Sequence, residues 1–278
     1  MTIGSPEGAI MIDAWEANAF NQVPDSENEI HGDAVARRYG FRGGLVPGVT
    51  VSAYLMHPAA VAWGMDWLAR GAASAVLKKP LYDGVHFRVD VRPSGERAYE
   101  ATLRDAEGAL VAEGSVGVTD TPADPPVMRG DPRVQRGHER PRVSREVMER
   151  LRETGMRAVP SRFSEEAEVT GYLRDPEAMA EPYRPSGGAF ASPAFLLGIT
   201  NWALSANVYL PAWLHLQTEH QSFAPVPSGS ELVTELAVAD LFEKKGHEFV
   251  DLDLATFFAD GRPVMSARLR AIYQLRES

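Results

Sequence analysis

The stretch Asp25-Ser26-Glu27-Asn28-Glu29-Ile30-His31-Gly32-Asp33 gathers an imidazole, an amide and several acids within a few residues. A histidine beside a carboxylate can orient a water molecule and move a proton at neutral pH. A second group lies downstream, where Phe41-Arg42-Gly43-Gly44-Leu45-Val46-Pro47-Gly48 leads into a long apolar run. A glycine opening an apolar helix leaves its backbone N–H free at the positive end of the helix dipole. Such an amide can hold the negative charge that develops on a carbonyl oxygen. The two groups together predict proton transfer next to a polarised carbonyl, with His31 as one acid/base group and the Gly48 N–H, followed by Val49, at the oxygen.

Other chemistries lack their residues. There is no Cys, which removes thiolate nucleophiles, thiolate metal sites and disulfides. His57, His86, His138, His215, His220 and His247 show no metal-ligand spacing, so no metal is expected. His215 and His220, five apart on an expected strand, should point to opposite faces. No glycine-rich dinucleotide or phosphate loop is present, and no cofactor is expected. Arg37, Arg38, Arg42, Lys78 and Lys79 form a local basic set suited to the phosphates of a carrier arm.

An internal repeat supplies the elements that must position these groups. Pro80-Leu81-Tyr82-Asp83-Gly84 is echoed by Pro225-Val226-Pro227-Ser228-Gly229, Ala106-Glu107-Gly108 by Ala259-Asp260-Gly261, and Gly43-Gly44 by Gly187-Gly188, about 145 to 153 positions apart and in the same order. Each half predicts a long apolar helix, Gly48 to Arg70 and Ser192 to Asn207. Alternating strands follow, near 73–79, 85–92, 98–105 and 110–119, then 214–223, 231–242, 248–258 and 263–275. Short turns between successive strands imply antiparallel sheets wrapped around the helices. Residues 1–120 and 161–278 are therefore expected as two repeats. Between them, 121–160 reads as a Pro- and Arg-rich linker carrying a short helix capped by Ser144.

Composition narrows the class further. The chain has 278 residues and a formal net charge of −10, which argues against a general nucleic-acid binder. The first 20 residues hold Glu7, Asp13 and Glu16 but no Lys or Arg, unlike a secretory signal, so a cytoplasmic location is expected. The uncharged stretch Pro185 to Thr218 is interrupted by Pro193, Asn201, Ser205, Asn207 and Pro211. It reads as a buried helix with its flanks rather than a membrane span.

Asn28, His31, Asp33, Phe41, Gly43, Gly44 and Gly48, with Lys79-Pro80-Leu81-Tyr82-Asp83-Gly84 after them, resemble the motif of the MaoC-like hydratase/dehydratase family. The resemblance covers about residues 10–120. It implies an α+β double hotdog fold, completed by a second repeat matched in pattern only. It also implies addition or removal of water at the 2,3 double bond of an acyl thioester carried by coenzyme A or a carrier protein. His31 and Asp25 would be the acid/base pair and the Gly48 N–H the oxyanion donor, with the acyl chain near Tyr54, Leu55 and Trp63. Two positions depart from the family pattern. Five residues before His31, where the family carries its catalytic Asp, stands Ser26, with Asp25 one residue further out. Pro47 replaces a histidine that often precedes the helix-start glycine. The second repeat carries no counterpart of Asn28 and His31 near 170–180, so one site per chain is expected, in a monomeric pseudo-dimer or a homodimer.

Two rival readings use the same fold. Thioesterases of this fold place an acid on the central helix. The first helix offers only Asp66, near its far end, and the second offers Asn201, suited to holding a water. A non-catalytic acyl-thioester or lipid binder would keep His31 and Gly48 and lack the base, a reading that an outward-facing Asp25 would favour.

Overall fold

The computed structural model describes residues 12–164 and 171–276. The reading of the leading segment as lacking a signal falls largely outside them. The strands are β1 (Trp15–Asn18), β2 (Gly71–Leu77), β3 (His86–Gly95), β4 (Ala98–Asp105), β5 (Leu110–Val118), β6 (Val159–Arg162), β7 (Leu214–Ser222), β8 (Glu231–Lys244), β9 (His247–Phe258) and β10 (Pro263–Gln274). They form one antiparallel sheet in the order β1-β3-β4-β5-β2-β7-β10-β9-β8-β6. The two repeats meet at the β2–β7 pair, with Ala73 opposite His220 and Ala75 opposite Thr218. The short outer strands β1 and β6 are additional to those the alternation predicts.

The helices are α1 (Asp33–Arg38), α2 (Gly48–Arg70), α3 (Arg145–Thr154) and α4 (Pro193–Asn207). Helices α2 and α4 are apolar on nearly all sides, as a helix enclosed by a sheet must be. Helix α2 bends at Gly64, whose positive φ of 49° only glycine adopts at low cost. Ser144 caps α3 by accepting from Val147 N–H. Tyr54, Leu55 and Trp63 are buried in the core of the first repeat.

The link between repeats is tied down by one buried carboxylate. Glu235, 1% exposed on β8, accepts hydrogen bonds from the backbone N–H groups of Arg129, Gly130 and Asp131 at 2.7 to 2.9 Å. A buried carboxylate needs such donors, and here they hold the proline-rich segment against the sheet.

One expectation about β7 is corrected. A bulge at Leu216 shifts the register between Arg270 and Ala271 of β10. The extra residue reverses the alternation, so His215, Thr218 and His220 all face inward, opposite Ala271, Leu269 and Ala267. No helix among the described residues is long and apolar enough to cross a membrane.

Candidate active site

His31 ends a single helical turn, Glu29–His31, that rests on both repeats. The Glu29 N–H donates to Pro211 O at 2.9 Å, and the Leu45 N–H donates to Ile30 O at 3.2 Å. Behind the turn runs the glycine loop. A Cβ on Gly44 would lie 2.1 Å from His31 O, so only glycine allows this approach. Asp33 fastens the loop, accepting from Gly44 N–H and Arg37, both at 2.8 Å. Those contacts, the backbone one first, hold its carboxyl below the usual range. Asp33 therefore supports the loop and does not face the imidazole.

The hydrogen bonds determine the tautomer of His31. Leu45 O, which can only accept, lies 2.7 Å from Nδ1, so Nδ1 carries the proton. Asn28 is oriented by the backbone of Trp213: Oδ1 accepts from Trp213 N–H at 3.1 Å and Nδ2 donates to Trp213 O at 3.2 Å. The same Nδ2 donates to His31 Nε2 at 3.2 Å. Nε2 is thus a proton acceptor. Burial pushes the imidazole pKa down to about 4, against a smaller opposing effect of the Leu45 carbonyl, so the ring is neutral at pH 7.

Two adjoining cavities meet at this ring. One, of about 120 Å³, is lined by Gly48, Val51, Leu77 and Lys79; the other, of about 270 Å³, by Ser26, Glu27, Val49, Gly198 and Ser205. His31, Asn28, Asn201 and Trp213 line both. Gly48 and Val49 are the first two residues of α2, so their N–H groups have no acceptor within the helix. A Cβ on Gly48 would lie 2.6 Å from Leu77 Cδ1 and 2.9 Å from His215 Cβ, which makes that position a glycine for space.

The remaining candidates separate clearly. Asp25 is exposed and lines neither cavity, so the expected His31–Asp25 pair is corrected: the amide of Asn28, not a carboxylate, contacts the ring. Ser26 lines the larger cavity and its Oγ donates to Asn28 O at 3.3 Å. Tyr54 also lines neither cavity. Its hydroxyl accepts from Phe20 N–H at 2.9 Å and its ring stacks on Phe87, so it packs the core and is corrected as a substrate contact. In the basic set, Arg37 pairs with Asp33 and Lys78 with Glu113, while Arg42 lies over the Tyr82 ring at 4.2 Å. Arg38 and Lys79 are exposed, and of the five only Lys79 lines a cavity.

Several lining residues come from the second repeat, among them Asn201, which the sequence offers only for holding a water, and Trp213 and His215, which carry no signal beside the motif. Asn201 Oδ1 lies 3.3 Å from His215 Nδ1, and His215 Nε2 contacts Thr218 Oγ1. Burial lowers the His215 pKa to about 3. Among the described residues no cluster of three or more His, Asp or Glu could hold a metal ion.

The second repeat shows how such a site is closed. The Leu45–Tyr82 bridge recurs as Phe190–Pro227, and the turn Glu29–His31 recurs as Glu181–Tyr183. The Leu45 N–H to Ile30 O bond recurs as Phe190 N–H to Pro182 O. In this register Tyr183 stands for His31, Ala180 for Asn28 and Pro193 for Gly48. Proline has no N–H to offer an oxyanion, Tyr183 is tied to Trp67 Nε1 at 3.0 Å, and the matching cavity shrinks to about 20 Å³.

No protein-family model and no curated protein matches this chain. Solved structures do. A conserved hypothetical protein of Mycobacterium tuberculosis with a double hotdog fold is similar over 94% of this chain and 95% of its own, with TM-score 0.56 and 15% identity. The dehydratase domain of PpsC from Mycobacterium tuberculosis, in complex with C12:1-CoA, is similar over 93% and 92%, with TM-score 0.53 and 12% identity. A Thermobifida fusca protein provisionally assigned as a thioesterase II is similar over 95% and 93%, with TM-score 0.53 and 16% identity. A MaoC-like dehydratase is also among the similar structures. The chain has the double hotdog fold, and its structural neighbours include both dehydratases and thioesterases.

Proposed function

We propose that this protein processes acyl thioesters, adding water to the 2,3 double bond of an enoyl thioester or removing it in reverse. The observation that carries this reading is the placement of a neutral, proton-accepting imidazole and two helix-start amides without an intrahelical acceptor along the same pair of cavities. In hydration, the thioester oxygen lies at the Gly48 and Val49 N–H groups. A water takes the place of the long Asn28 contact at His31 Nε2. The ring removes a proton as the hydroxyl adds to C3, and negative charge collects on the thioester oxygen. The resulting imidazolium returns that proton to C2, so one water supplies both added groups. Among the described residues the second repeat offers no matching imidazole and helix-start amide, so the reading uses one site per chain.

The outward placement of Asp25 favours a second reading, a thioester-binding protein that has kept the amides and lost turnover. One experiment separates the two. Incubation with a 2-enoyl coenzyme A should remove the enoyl-thioester absorbance, and His31→Ala should lower kcat/KM by at least about 100-fold. Binding with unchanged absorbance selects the non-catalytic protein, and release of free thiol selects a thioesterase.

A further inference from the structure

His31 sits where the two cavities adjoin, so a thioester reacting there must send its carrier arm into one cavity and its acyl chain into the other. Charge decides which. At the smaller cavity stands Lys79, exposed and with no carboxylate within 4.0 Å among the described residues; Arg42, over the Tyr82 ring beside the lining residue Leu45, already pairs with Glu107 at 4.0 Å. At the larger cavity the charged lining residue is Glu27, and the cation near it is already engaged. Arg140 holds the Glu27 carboxylate at 2.7 and 3.2 Å and also donates to Ser205 O at 2.9 Å. The phosphates of coenzyme A or of a phosphopantetheine arm are anionic and favour the end with the free cation.

Resting on the acyl-thioester reading, we infer that the carrier arm leaves past Lys79 and that the acyl chain lies in the larger cavity against α4, where Gly198 sets the size of chain accepted. Helix α4 lines that cavity with the small residues Ala194, Gly198 and Ser205, together with Asn201 and Trp202. A Cβ built on Gly198 would be in ordinary contact with the Trp202 ring at 3.8 Å and clash with nothing, at a position that lines the cavity. A larger side chain there occupies room the acyl chain would use. It should not disturb α4, where leucine is a better helix former than glycine.

The test measures binding of coenzyme A and of its S-butyl, S-octyl and S-dodecyl thioethers, which can be neither hydrated nor hydrolysed. Gly198→Leu should weaken S-dodecyl binding by at least about tenfold while changing S-butyl binding less than about twofold. Lys79→Glu should weaken every thioether and coenzyme A itself by the same factor, about tenfold at low salt and less at high salt. The orientation is overturned if Gly198→Leu affects all chain lengths alike or none, or if Lys79→Glu leaves affinity unchanged. If the wild-type protein binds none of the thioethers, the acyl-thioester reading fails along with it; binding without chain-length dependence removes this inference alone. Unchanged thermal midpoints for both variants exclude misfolding as the cause.

Discussion

At the residue scale, the chemistry turns on the single lone pair of His31 Nε2. Asn28 holds that lone pair by a long 3.2 Å contact and is itself oriented by Trp213. Asn28→Asp should therefore change the ring more than it changes the fold. It removes a donor at Nε2 and places a negative charge there, which favours the imidazolium. The His31 pKa should rise from about 4 toward neutrality, visible in an NMR titration of the ring, and the pH profile of turnover should move with it. Asp25→Asn should leave turnover within about twofold of wild type, since an exposed side chain outside both cavities has little leverage. Tyr54→Phe should cost ~1 kcal/mol in denaturant unfolding, because Phe20 N–H loses its acceptor, and should leave KM unchanged.

At the element scale, the start of α2 and the link between repeats matter most. Gly48→Ala forces a methyl group against Leu77 and His215. The expected result is lost turnover together with a stability cost of ~1–3 kcal/mol, measured by urea unfolding. Glu235→Ala leaves three backbone N–H groups without their acceptor and frees the proline-rich segment. It should lower stability by ~2–4 kcal/mol, and limited proteolysis should then cut first within 121–142.

At the scale of the whole molecule, burial of several histidines in the neutral form should make the protein acid-sensitive. His31, His57 and His220 are each lowered to about 4 and His215 to about 3, all mainly by burial. An unfolded histidine takes up its proton near pH 6.5, so below that value the unfolded chain binds more protons than the folded one. Stability is therefore retained above about pH 6.5 and falls as the pH drops toward 4. By then each ring contributes on the order of 3 kcal/mol against the fold. Because whole domains are stable by only ~5–15 kcal/mol, thermal melts should show the midpoint dropping steeply between pH 6.5 and 4.

Much of this architecture is legible in the residues themselves. Period-two alternation, the turn glycines and the two apolar helices reflect local backbone preference and one-sided burial, which are written along the chain. The retelling of the same turns in each half reveals the duplication. The candidate site was legible where its residues lie close in the chain, as with Asn28, His31 and Gly48, and at Asn201 by residue type. Trp213 lines both cavities and His215 the smaller one from the other repeat, and a single bulged residue at Leu216 decides which way His215 faces. Nor does spacing alone show that Asp25 faces outward, that Asn28 is oriented by a backbone 185 residues away, or that Pro193 and Tyr183 close the second half. These are outcomes of packing two repeats against each other, and contacts between distant segments leave no periodic trace in a sequence.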